Sequence, residues 1–236
     1  MAKLRGVLFD YGHTLVWFPN FERTHLTAAR NAQRILKRLG VTAEVSRIRT
    51  LVESFAHPKY GSVPNAEEEF REVFSALGVR RYGQEDLMEI VQQYWKPYVW
   101  NVRARRGAHE LLTSLKNMKF KTAIVANVWS GGMNPALQRL DLERFFDTTI
   151  ASVNVGFQKP DPRIFQLALD RLELAAEDVI MVGDNPKADI KPAHDIGMAT
   201  VRLLRGPNRM EPDVVIPDFK INNLSALASV INASCQ

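Results

Sequence analysis

The sequence predicts an α/β protein: a doubly wound parallel sheet whose first strand is separated from the others by a helical insert. Three observations carry that reading. An apolar run of strand length, Val7-Leu8-Phe9, stops at Asp10 and turns through Gly12. Residues 18–104 then hold four helical periodicities and no convincing strand. From Gly107 onward strand-like and helix-like patterns alternate, as parallel strands joined by crossover helices require.

Trp17-Phe18-Pro19 marks the exit from the first motif. Ala28, Ala29, Ala32, Ile35, Leu36 and Leu39 recur at helical spacing and close at Gly40. Val45, Ile48, Leu51, Val52 and Phe55 give a second amphipathic helix. Asn65 followed by Glu68 is a capping-box start, and Phe70, Val73, Phe74 and Leu77 carry that helix to Gly78. A fourth helix uses Leu87, Ile90, Val91 and Tyr94 and is expected to stop before Pro97. Beyond Gly107 the expected order is a helix over 108–118, a strand at Thr122–Ala126, and a glycine turn before a helix containing Pro135. A short strand around Thr149–Ser152 follows, then a helix through Phe165–Leu172 and the strand Val179–Val182. The pattern ends with a helix over Ala188–Ile196, strands at Ala199–Leu203 and Val214–Ile216, and a helix over Ser225–Ile231. The expected division is a core of 1–17 and 105–236 around an insert of 18–104.

With 236 residues and 46% apolar content the chain can bury a full core. Its net charge of +5 is spread over both halves, a solvated surface rather than a nucleic-acid footprint. The single cysteine, Cys235, rules out an internal disulfide. No run approaches the roughly 20 apolar residues a membrane helix needs, and Val7-Leu8-Phe9 is too short for a signal peptide. A cytoplasmic protein, monomeric or homodimeric, with no membrane or nucleic-acid partner is the expectation.

Asp10 alone could equally cap a turn, and Lys159 alone could be a surface lysine. Taken together the acidic groups form a constellation. Lys159-Pro160-Asp161-Pro162 follows far downstream, and Val179–Val182 ends at Gly183-Asp184, with Asp189 five residues on. Carboxylates at the carboxyl ends of buried parallel strands sit where open sheets place their chemistry.

This order of Asp, Lys and Gly-Asp-x4-Asp resembles the haloacid dehalogenase-like hydrolase superfamily, small helical-cap type, along nearly the whole chain. The resemblance implies a Rossmann-like three-layer core with an inserted helical cap. It also implies a Mg2+-dependent phosphatase acting on a phosphorylated small molecule. Asp10 would be the nucleophile that becomes an aspartyl-phosphate, and Lys159 would neutralise charge. Asp10, Asp184 and the Gly12 backbone carbonyl would hold the metal, with Asp189 completing or orienting the shell.

Two positions depart from the family pattern. The phosphatases carry a second Asp two residues after the nucleophile as general acid and base, and here that residue is Gly12. Such help is typically worth about 10²–10⁴-fold. The hydroxyl expected after the second strand is replaced by Ala126, and Asn127 or Ser130 could take its place against a phosphoryl oxygen. His13 could replace the lost acid, or simply pack locally. Trp129 could line the cleft, while Arg23, Arg30 and Arg34 read as a solvated helix face. Three alternatives follow: a dehalogenase, which lacks the second Asp but needs no Mg2+; a phosphonate-cleaving enzyme using Lys37, Lys59 or Lys96; and a non-catalytic binding protein on a degenerate fold.

Overall fold

The computed structural model describes residues 4–56, 65–128 and 132–234. Lys59, Trp129, Ser130 and Cys235 lie outside them, and the roles expected of them are not addressed by the structure. The chain divides into two units, Met1–Trp17 with Arg103–Asn127 and Leu137–Gln236, and Phe18–Val102 with Val128–Ala136.

The first unit is built on β1 (Gly6–Phe9), β4 (Lys121–Ala126), β5 (Thr148–Ala151), β6 (Val179–Gly183), β7 (Ala199–Leu203) and β8 (Phe219–Ile221). They form one sheet of order β5-β4-β1-β6-β7-β8, parallel throughout. Every residue of β1 and β6 is buried, as expected of central strands in a sheet flanked by helices. The alternation of side chains shows in the packing. Leu8, Ala123, Val125, Val179 and Met181 share one cluster with Ile164, Phe165, Ala168 and Leu169 of α8 (Pro162–Leu172). Helices α5 (Ala108–Asn117), α7 (Ser152–Val155), α9 (Lys191–Asp195) and α10 (Ala226–Ser234) fill the connections, and α6 (Met133–Arg139) crosses the boundary between the two units at Ala136. Because β1 has β4 on one side and β6 on the other, the strand order reverses at β1. The carboxyl ends of those three strands therefore flank the crevice at the switch point. Short antiparallel strands β2 (Val16–Trp17) and β3 (Arg103–Ala104) pair where the chain leaves and re-enters this unit.

One expected strand is displaced. Val214–Ile216 is irregular, with Ile216 87% exposed, and the edge strand is Phe219–Ile221. Pro217 lacks the N–H a ladder needs. The strand begins only after Asp218, whose carboxylate accepts from Thr200 N and Oγ1, both at 2.8 Å.

The second unit contains α1 (Phe21–Arg38), α2 (Val45–Ala56), α3 (Ala66–Ala76) and α4 (Gln84–Asn101). Their apolar faces meet in a core of Ala28, Ala32, Leu36, Ile48, Phe70, Phe74, Ile90 and Tyr94. The capping box at Asn65 is formed in both directions. Helix α4, however, runs straight through Pro97. Proline at 97 strips the Gln93 carbonyl of its helical donor, and Asn31 Nδ2 on α1 donates to that oxygen at 2.9 Å instead. The breaker is tolerated because its orphan is satisfied from the neighbouring helix.

Candidate active site

Asp10 is the first residue past β1, in register beside β6, and its N–H donates to Val182 O at 2.9 Å. Asp184 is the first residue past β6. Two carboxylates thus leave adjacent strands at the same edge. Lys159 arrives on the segment between α7 and α8, and Asn127, just past β4, fixes its backbone. Asn127 Nδ2 donates to Lys159 O and Asn127 Oδ1 accepts from Lys159 N, both at 2.8 Å. Asn127 was expected at a phosphoryl oxygen; with its carbonyl and one N–H committed here, it acts as the clamp that positions the lysine.

The Lys159 ammonium reaches Asp10 Oδ1 at 2.7 Å and Asp189 Oδ1 at 2.6 Å. Asp189 stands in a π-helical turn, Pro186–Ile190, whose start is capped by Asn185 Oδ1 accepting from Lys187 N and Ala188 N. Its second oxygen accepts from Asn185 N at 2.9 Å. Gly183 makes this approach possible, since a Cβ there would lie 2.4 Å from Asp189 Cβ and Oδ2. Any larger residue would drive the carboxylate away from the lysine.

All four groups are buried, Asp10 being the most open at 8% exposure. One ligand atom from each of Asp10, Asp184 and Asp189 falls within 4.8 Å of the others. Burial, and then the Asp10 and Asp189 charges, push Asp184 up to about 8. Asp189 is also raised by burial, with Lys159 opposing. Burial alone would lower the Lys159 ammonium, but Asp10 and Asp189 outweigh it and the net direction is upward. Three carboxylates face one ammonium, so the fully ionised cluster carries two unbalanced negative charges. That is what a hard divalent cation with oxygen ligands neutralises, and the donor set fits Mg2+.

Gly12 is a free choice of sequence rather than a steric demand: a Cβ built there meets nothing within 4 Å. His13 adopts a left-handed φ of 62°, a conformation costing roughly 1–2 kcal/mol for a residue with a side chain. Arg105 holds that turn, with Nε donating to Thr14 O at 3.1 Å and Nη2 to His13 O. Burial, then the Arg105 charge, lowers the His13 pKa below its usual value. Both causes favour the neutral ring over the imidazolium.

Sequence reasoning missed three residues. Arg105 falls in a basic stretch with Arg103 and Arg106 that no motif marks. Asn208 Nδ2 donates to Asp184 Oδ2 at 3.0 Å, from a loop with no motif. Buried Arg202 holds that loop, with Nη2 donating to Asn208 O at 2.8 Å and Glu211 O at 2.7 Å and Nη1 paired with Asp213. Only Arg202 had a signal, an arginine interrupting the apolar run of β7.

The haloacid dehalogenase-like hydrolase family matches residues 64–203, more than half of the chain. A "Glyceraldehyde 3-phosphate phosphatase" of Methanopyrus kandleri is 31% identical, with 97% of each chain covered. A protein of the same name from Methanocaldococcus jannaschii is 28% identical, again over 97% of each. Among solved structures, a 2-haloacid dehalogenase from Pseudomonas syringae pv. Tomato superposes with a TM-score of 0.72 at 23% identity, covering 99% of each chain. The strand-end carboxylates, the lysine joined to them and these matches lead to one conclusion: the chain belongs to the haloacid dehalogenase-like hydrolases.

Proposed function

We propose that the protein is a Mg2+-dependent phosphatase of a phosphorylated small molecule, working through an aspartyl-phosphate on Asp10. The observation that carries this reading is the buried, charge-unbalanced cluster of Asp10, Asp184 and Asp189 around Lys159. Asp10, Asp184 and the Gly12 carbonyl would hold the cation, with Asp189 bound through Lys159 and Asn185. When bound, Mg2+ supplies charge neutralisation to the transferring phosphoryl group. An Asp10 oxygen attacks phosphorus in line, and the bond to the leaving oxygen breaks. Water then attacks the aspartyl-phosphate, releasing phosphate and restoring the carboxylate. Lys159 offsets negative charge on Asp10 and on the phosphoryl oxygens throughout. Gly12 offers no proton to the leaving group, so acyl and aryl phosphates are favoured over alkyl phosphates. The relatives' name supplies the first natural substrate to try, glyceraldehyde 3-phosphate. Residues 18–104 are read as the substrate-selecting cap, supported by the β2–β3 pair at the insert's two ends.

The test is phosphate release from acetyl phosphate, p-nitrophenyl phosphate and glyceraldehyde 3-phosphate, with and without Mg2+. Asp10→Asn keeps the shape and removes the nucleophile, so turnover is expected to vanish. Full activity in that variant would overturn the covalent route. Gly12 also suits a dehalogenase, which needs no acid at that position. Metal-independent chloride release from 2-chloropropionate, with no phosphate release, would decide for that reading.

A further inference from the structure

We infer that the sheet-bearing unit has a second anion site, separate from the carboxylate cluster, that takes a small phosphate-bearing molecule with an uncharged ring. The site is a cleft of about 560 Å³ walled by Arg105, Arg106 and Arg205 with Trp17, Asn222 and Ser225. That volume lies inside the range of roughly 300–1,000 Å³ common to small-molecule sites. None of the residues proposed above to hold metal or substrate lines it, and neither does any acidic side chain.

The guanidiniums of the cleft form no direct ion pair: among the described residues no carboxylate pairs with Arg105, Arg106 or Arg205, whereas Arg163 and Arg202 each hold an aspartate. Arg105 is lowered by burial, which the Asp184 charge opposes and the Arg205 charge reinforces. Two of the guanidiniums are held by backbone carbonyls. Arg105 is held by the His13 and Thr14 carbonyls, and Arg205 Nε donates to Asn222 O at 2.8 Å. Pre-set guanidinium forks bind phosphate oxygens in pairs without losing much side-chain freedom.

Two helices start at the same place. Helix α5 begins after Gly107 and α10 after Ser225, and a Cβ on Gly107 would lie 2.4 Å from Ser225 Oγ. Ser225 itself lines the cleft, so the positive end of α10 adds to the arginine field. Trp17, 43% exposed, gives the cleft an apolar face against which a ring can stack.

The test titrates full-length, metal-free protein in EDTA with ADP and with pyrophosphate, followed by calorimetry. Without metal the carboxylate cluster repels anions, so binding reports on the cleft. ADP and pyrophosphate are both expected to bind at sub-millimolar concentration. The double variant Arg106→Glu/Arg205→Glu is expected to weaken both at least tenfold. Arg106→Gln/Arg205→Gln serves as the milder check if the charge reversal disturbs folding. Trp17→Ala is expected to weaken ADP and leave pyrophosphate unchanged. Absence of binding at millimolar ligand, or binding that neither arginine variant alters, would overturn the site. Equal ADP affinity in Trp17→Ala would overturn the ring contact.

Discussion

At the carboxyl ends of the central strands two of three buried carboxylates, Asp10 and Asp189, pair with one lysine; in the helical unit Glu69 is buried at 1% exposure with no ion-pair partner among the described residues. Neither of its oxygens has a hydrogen-bond partner among the described residues. Burial alone raises Glu69 to about 8, so it is held neutral at physiological pH. The two regions meet the same desolvation penalty differently. Asp10 and Asp189 are paired with the Lys159 ammonium, while Asp184, raised to about 8 first by burial, stands beside them where a cation can displace its proton. Glu69 has no ion-pair partner among the described residues, and its proton stays on. A buried acid is therefore a functional signal only when the fold has also grouped it with charges that a ligand can complete.

The largest effect expected from breaking this contrast is at Lys159. Lys159→Met leaves Asp10 and Asp189 without their ammonium, and loss of one partner from a buried ion pair typically costs about 3–5 kcal/mol. Thermal unfolding should show that loss in EDTA, a partial recovery in Mg2+, and collapse of turnover. An unchanged melting temperature in EDTA would refute the balance described here.

Glu69 comes next. Its folded-state pKa lies above the unfolded value of 4.5, so the unfolded chain releases the proton first and stability falls as pH rises. The loss begins near pH 4.5 and levels off above about pH 8, reaching a few kcal/mol at 1.36 kcal/mol per unit. Glu69→Leu should therefore match the parent at pH 5 and exceed it increasingly toward pH 9. A stability difference that does not change with pH would sink this account.

Gly12→Asp adds a carboxyl where there is open space and should raise turnover of alkyl phosphates by about 10²-fold, the low end of general acid–base help. Acetyl phosphate should barely respond. A folded variant with no gain on alkyl esters would mean that another group already supplies the proton.

The smallest effect is at Asn208. Asn208→Ala frees Asp184 Oδ2 and should weaken Mg2+ binding by roughly tenfold, the scale of outer-shell hydrogen bonds. Calorimetric Mg2+ titration reads this independently of activity, and an unaltered affinity would remove Asn208 from the site.

Much of this was legible in the chain because it is local. Asp10 and Asp184 each end an apolar strand run, and Asn65 and Glu68 sit three residues apart. What stayed hidden depends on partners far away in sequence. Helix α4 survives Pro97 only through Asn31, and Asn208 reaches Asp184 only because Arg202 anchors its loop. Asn127 was legible in position but not in duty, because its amide answers to a lysine 32 residues on. The edge strand was misplaced because Val214 and Ile216 have the composition of a strand but lack a neighbour to pair with.

Arg105 joins two places with one side chain: its guanidinium secures the turn after Asp10 while also lining the basic cleft. Thermodynamic reciprocity then applies. If an anion in the cleft changes the affinity of the carboxylate cluster for a metal by some factor, metal must change the affinity of the cleft for that anion by the same factor. A measurement of either direction fixes the other, and a factor of one would mean that the guanidinium serves both neighbours without carrying any message between them.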